Sequence, residues 1–197
     1  MRWTTFLLTL ALAASAHGFP TTIATFADPT GSAGEPPVFS FDAVNQLLTG
    51  GWAGDGLTLQ TYIATYSNAT FTMTLVVADS SVLPTQVGGG TIRFYASGGQ
   101  EVFVIDFDSG DLGPLAFGAT EFLNLNVVTF SGAIIPVPYT QESFAFSFAN
   151  QLLVGEDGSF TATAAFTSSA LVPEPGMLTL VVIGLVMAGR RHRQDAC

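Results

Sequence analysis

The chain has 197 residues, 48% of them hydrophobic and only 10% charged, enough for one domain of ordinary size with short appendages. All five basic residues are arginines, and between residues 17 and 172 only Arg93 stands against thirteen acids, a formal charge of −12 in that span. So acidic a surface repels phosphate backbones, which excludes nucleic acid as a partner, and the single cysteine, Cys197, leaves neither an intrachain disulfide nor a catalytic thiol in the body of the chain.

At the N-terminus, Arg2 supplies a positive charge ahead of the apolar run Phe6-Leu7-Leu8-Thr9-Leu10-Ala11-Leu12-Ala13, and Ala14-Ser15-Ala16 follows. This is the three-part layout of a secretory signal peptide, with Ala14 and Ala16 as the small residues of the cleavage pattern and the cut after Ala16. The run is too short to remain as a membrane span. Residues 1–16 are therefore expected to be a signal helix that signal peptidase removes.

Residues 17–171 read as an exported all-β domain. The run 56–63 alternates, with Leu57, Leu59, Thr61 and Ile63 on one face, and 71–77 alternates with Phe71, Met73, Leu75 and Val77 on one face. Further strands are expected at 91–95, 101–107, 122–128, 144–148 and 160–166. Helical periodicity is missing, with a hint near 43–48. The breaks fall at Ser67-Asn68, Gly88-Gly89-Gly90, Ser97-Gly98-Gly99, Asp108-Ser109-Gly110 and Glu156-Asp157-Gly158, residues that tolerate positive φ or make side-chain turns. Such spacing predicts an antiparallel two-sheet sandwich of about eight to ten strands, with a closed barrel as the alternative.

The body holds little catalytic chemistry. Histidine occurs only at His17 and His192, so neither a Ser-His-Asp triad nor a histidine metal site is available between them. There is no lysine to reach a phosphate. Carboxylates remain. Asp106, Asp108 and Asp111 sit in what reads as a strand running into a turn, and hard oxygen ligands grouped this way can hold calcium. The competing reading is a polar turn at a sheet edge, its charges discouraging edge pairing. The aromatics Trp52, Tyr62, Tyr66, Tyr95 and Tyr139 would stack on sugars if exposed, whereas most of the 17 phenylalanines fall on apolar strand faces and belong to the core. No enzymatic activity and no cofactor other than calcium are expected.

The C-terminal segment begins Val172-Pro173-Glu174-Pro175-Gly176. The prolines end any preceding strand, and Pro175 suits the first turn of a helix. An uncharged run follows from 176 to 189 and stops at Arg190, Arg191 and Arg193. At about 1.5 Å per residue the run covers roughly 21 Å, short for a hydrocarbon core of about 30 Å. It lacks the polar face of a surface helix, and the positive-inside rule puts the arginines in the cytoplasm. A single transmembrane helix is expected, with arginine snorkelling absorbing the mismatch.

In this order, behind a signal peptide, the Pro173-Glu174-Pro175 box, short apolar helix and terminal arginines resemble the PEP-CTERM sorting signal. The resemblance is confined to residues 172–197 and implies nothing about the β domain. It implies that an exosortase in the inner membrane recognises Pro173, Glu174 and Pro175 and cleaves nearby, removing the helix and the Arg190, Arg191 and Arg193 stop. Residues 194–197 run past the arginines, where many family members end, which leaves Cys197 without a family role. The resemblance further implies export through the inner membrane, transient anchoring by the helix, and a final place on the cell surface or in an exopolysaccharide or biofilm matrix. The runner-up for the body is a carbohydrate-binding or adhesive module, with calcium optional.

Overall fold

The computed structural model describes residues 18–29, 37–81, 84–121 and 127–172. Within them the chain is all β, as its alternation predicts. Thirteen strands are described: β1 (Phe19–Phe26), β2 (Phe39–Asp42), β3 (Leu47–Trp52), β4 (Thr58–Thr61), β5 (Thr65–Ser67), β6 (Thr70–Met73), β7 (Val76–Asp79), β8 (Thr85–Tyr95), β9 (Glu101–Leu112), β10 (Ala116–Thr120), β11 (Val128–Ser131), β12 (Thr140–Leu153) and β13 (Phe160–Val172). Thr21–Leu171 forms one compact unit; of the remainder, Met1–Pro20 and Val172–Cys197, only 18–20 and 172 are described. The signal peptide with Ala14 and Ala16, the Pro173-Glu174-Pro175 box, the run 176–189 and Arg190, Arg191 and Arg193 all lie outside the described residues. Among the described residues no helix is long and apolar enough to cross a membrane.

Eight strands close a ring in the order β12-β10-β9-β8-β6-β3-β2-β13, with β13 pairing back onto β12. β7 follows β6 and pairs with β3 and β8, β11 lies beside β9, and β1, β4 and β5 extend from β13. The expected two-sheet sandwich gives way to its alternative, the closed barrel. Alternation tells that one face of a sheet is buried, and both architectures bury one face. What decides between them is pairing between distant segments. β13 makes it: it runs antiparallel to β12 from Leu171 to Phe160 and also pairs with β2 through Phe160, Thr161 and Ala162.

Several turns form where their chemistry predicts. Ser97-Gly98-Gly99 joins β8 to β9, with Gly99 at φ 79° and its N–H donating to Ala96 O at 2.8 Å. Between β12 and β13, Asp157 Oδ1 accepts the Ser159 N–H at 2.9 Å. The helical hint near 43–48 is a turn followed by a strand. Asp42 Oδ1 accepts the N–H groups of Val44 at 3.0 Å and Asn45 at 2.9 Å, and Leu47 then opens β3.

Two expected breaks lie inside strands. Gly88-Gly89-Gly90 falls within β8 and Asp108-Ser109-Gly110 within β9, and the two strands stay in one register from Thr85↔Leu112 to Phe94↔Phe103. The phase of burial changes there. In β9 the residues Ile105 and Phe107 are buried, then Gly110 and Leu112; in β8, Ile92 and Phe94, then Val87. β6 and β7 shift at the same level: Phe71 and Met73 are buried, but Val76 and Ala78 take over, leaving Leu75 and Val77 exposed, not on the inner face where alternation put them. β6 with β7, β8 and β9 thus bend together into a barrel corner. The glycines belong there because there is no room. A Cβ on Gly89 would stand 2.9 Å from Phe107 O and 3.0 Å from Asp108 O, both fixed backbone atoms.

The interior is packed with phenylalanine, thirteen of the fifteen described being buried. Seven of the eight ring strands contribute one, β3 being the exception, among them Phe39 from β2, Phe71 from β6, Phe94 from β8, Phe103 from β9, Phe117 from β10, Phe146 from β12 and Phe166 from β13. Ring centroids lie 4.9 Å apart for Phe39–Phe146, 4.8 Å for Phe146–Phe166 and 4.9 Å for Phe94–Phe166. Phe26 of β1 joins the cluster at 5.4 Å from Phe166. Each such ring contributes about 1.5–3 kcal/mol by leaving water, and aromatic pairing adds about 0.5–1.5 kcal/mol per pair. An eight-stranded barrel can fill its inside with side chains or hold one small ligand. Here buried phenylalanine rings face that inside.

Candidate functional site

The three acids read as a calcium set are not brought together. Asp106 and Asp108 both point outward from β9 and line one shallow groove of about 380 Å³ with Gly90, Thr91, Val127 and Thr129. Asp111 lines a separate groove of about 480 Å³ with Pro84, Gly118 and Ser143. The expected turn that would fold Asp111 back is absent, because β9 continues as strand through Leu112. Five residues of strand span up to about 16 Å. The two acids that do share a groove are already engaged. Asp106 Oδ1 accepts the Thr91 hydroxyl at 2.6 Å, and Asp108 Oδ1 accepts the Val127 N–H at 2.9 Å and the Ser109 hydroxyl at 3.1 Å. Two carboxylates fall short of the six to eight oxygens calcium takes. Among the described residues no group of three or more His, Cys, Asp or Glu side chains is arranged to hold a metal ion.

The aromatics that could serve a sugar are scattered. Trp52 is buried, and its Nε1 has no hydrogen-bond partner among the described residues. Tyr139 is buried and Tyr62 exposed, and they meet edge to face with centroids 6.5 Å apart. Tyr139 donates its hydroxyl hydrogen to the Tyr62 oxygen at 2.8 Å, and Tyr62 donates to Ile134 O at 2.7 Å. Burial and the Tyr62 bond push the Tyr139 phenol upward, so it stays a donor across the physiological range.

The most unusual chemistry is at Glu142, near the start of β12. Its side chain lies on the inner face in phase with Phe144 and Phe146 and is only 4% exposed. The Phe130 N–H donates to its Oε2 at 2.6 Å, and its own N–H donates to Oε2 of Glu121, just past the end of β10, at 3.1 Å. Burial pushes the Glu142 carboxyl up to about 7; the Phe130 N–H pulls the other way, and the Glu121 charge pushes up again. Both glutamates line a cleft of about 410 Å³ with Thr129, Ser131, Pro136 and Tyr139. A carboxyl that keeps its proton near neutrality beside a second carboxylate is the arrangement from which acid–base chemistry is built. Here the buried member is turned to a backbone N–H and scarcely reaches the cleft, so its first effect is on the fold.

Glu142 was legible in the sequence, though not as a site residue. It stands two positions before Phe144 in an alternating run whose inner positions are phenylalanine, so the same periodicity that buries the rings buries this acid. Glu121 carries no such signal, because its place depends on pairing between β10 and β12. In comparisons with family models, curated proteins and solved structures, nothing matches this chain.

Proposed function

We propose that the chain is an exported, non-catalytic protein of the cell surface or extracellular matrix, sorted by an exosortase through its PEP-CTERM-like tail. One observation carries most weight in its favour: β13 ends at Val172, immediately before Pro173. All eight strands of the ring fall between Phe39 and Val172, so a cut at the Pro173-Glu174-Pro175 box takes no strand from the barrel. A signal-peptidase cut after Ala16 likewise falls ahead of β1, which opens at Phe19. Both removable segments flank a body whose core closes without them.

On this reading signal peptidase and exosortase are partners during export. The 176–189 helix anchors the chain in the inner membrane until it is cut. What is released is a phenylalanine-packed acidic barrel within the exopolysaccharide matrix. The residue to test is Glu174. Replacing it with alanine in the native host should impair processing, so that a longer, membrane-retained form accumulates in immunoblots of fractionated cells. Processing of Glu174→Ala at the wild-type rate would overturn the sorting claim.

A further inference from the structure

β11 (Val128–Ser131) is a four-residue strand whose described backbone pairing is to β9. Its other edge faces β12, and among the described residues no backbone ladder joins the two; β12 pairs with β10 and β13. The Glu142 side chain stands in for the missing ladder by accepting the Phe130 N–H. The chain is set for this by Gln141, at φ 52°, where the β12–β13 register slips between Thr140 and Ser143. Behind β11 the chain returns to β12 through residues 132–139, held by the Tyr139–Tyr62–Ile134 hydrogen bonds.

We propose that Glu142 is a pH-sensitive latch for β11 and the 132–139 segment, closed while its carboxyl is protonated and loosened when it ionises. Among the described residues the surroundings supply no compensating cation. The one basic residue between 17 and 172, Arg93, is paired with Glu101 at 2.7 Å. The titratable groups facing Glu142 are Glu121, from the end of β10, and Tyr139, with Tyr62 behind it; β11 contributes none. Ionisation strengthens the hold of the Phe130 and Tyr139 N–H groups on the carboxyl but leaves a charge in apolar surroundings beside a second carboxylate. Burial is the largest influence on this group, so the ionised side chain gains by moving to water, and that movement breaks the bond to β11. The cleft shared by Glu121 and Glu142 then opens. The device belongs to the barrel and stands whether or not the tail is cut.

Hydrogen exchange of the full chain, read by mass spectrometry from pH 5.5 to 8.5 and corrected for intrinsic base catalysis, tests this. Protection of peptides covering 127–139 should fall tenfold or more through a midpoint near pH 7, while peptides covering β13 hold theirs. Glu142→Gln should keep 127–139 protected throughout, and Glu121→Gln should move the midpoint to lower pH by removing the like charge. Flat protection in the wild type, or an unchanged fall in Glu142→Gln, would overturn the latch. Should Glu142→Gln not fold, an unmoved midpoint in Glu121→Gln would overturn it equally.

Discussion

A single buried carboxyl gives the barrel an unusual stability profile. Glu142 titrates near 7 in the folded chain against an ordinary 4.5, so between those values the folded state holds a proton that the unfolded state releases. The contribution is therefore fully present below 4.5, falls as pH rises, and is lost above 7. Exposed acids held below their ordinary values by turn hydrogen bonds, such as Asp42 and Asp157, act in the opposite direction, so the wild type alone does not isolate the effect. The difference from Glu142→Gln does. In urea unfolding the variant should match the wild type to within about 0.5 kcal/mol at pH 4 and exceed it by about 3 kcal/mol at pH 8. Parallel stability curves would mean the carboxyl is not ionising in place. Periodicity alone points to this residue, since Glu142 falls in step with Phe144 and Phe146, but its partner Phe130 N comes from a separate strand and no local pattern announces it.

At the scale of the element, the corner across β6/β7, β8 and β9 is where the sheet turns enough to close. Gly89→Ala should destabilise by about 2 kcal/mol, because the new Cβ meets the backbone oxygens of Phe107 and Asp108, whereas Gly98→Ala, with nothing within 4 Å of its Cβ, should stay within about 0.5 kcal/mol. Thermal denaturation of the two variants checks the contrast; equal effects would place the bend elsewhere. This corner also shows why sequence reasoning located strands better than it joined them. Alternation over 101–107 and 144–148 identifies the cores of β9 and β12. Gly88-Gly89-Gly90 and Asp108-Ser109-Gly110 have turn composition, yet both are strand, because a sharply coiled strand and a turn ask the same of the backbone: small residues and close approach. The expected grouping of Asp111 with Asp106 and Asp108 needed the chain to fold back after Asp108, and there it runs on as strand.

For the molecule as a whole, ring closure was the least legible feature. It depends on Phe41 meeting Phe160 across most of the chain, and no local pattern contains that pairing. Once closed, the barrel is complete between residues that both proposed cuts leave untouched, and the sequence between 17 and 172 carries one arginine among thirteen acids. The intact mass of the protein recovered from its native host, with and without the sorting peptidase, tests the export-and-sorting account most directly. The account predicts, in competent cells, a chain beginning after Ala16 and ending close to Pro173, Glu174 and Pro175, and in cells lacking the peptidase a chain that keeps residues 176–197. A mature protein that retains those residues in competent cells would contradict it.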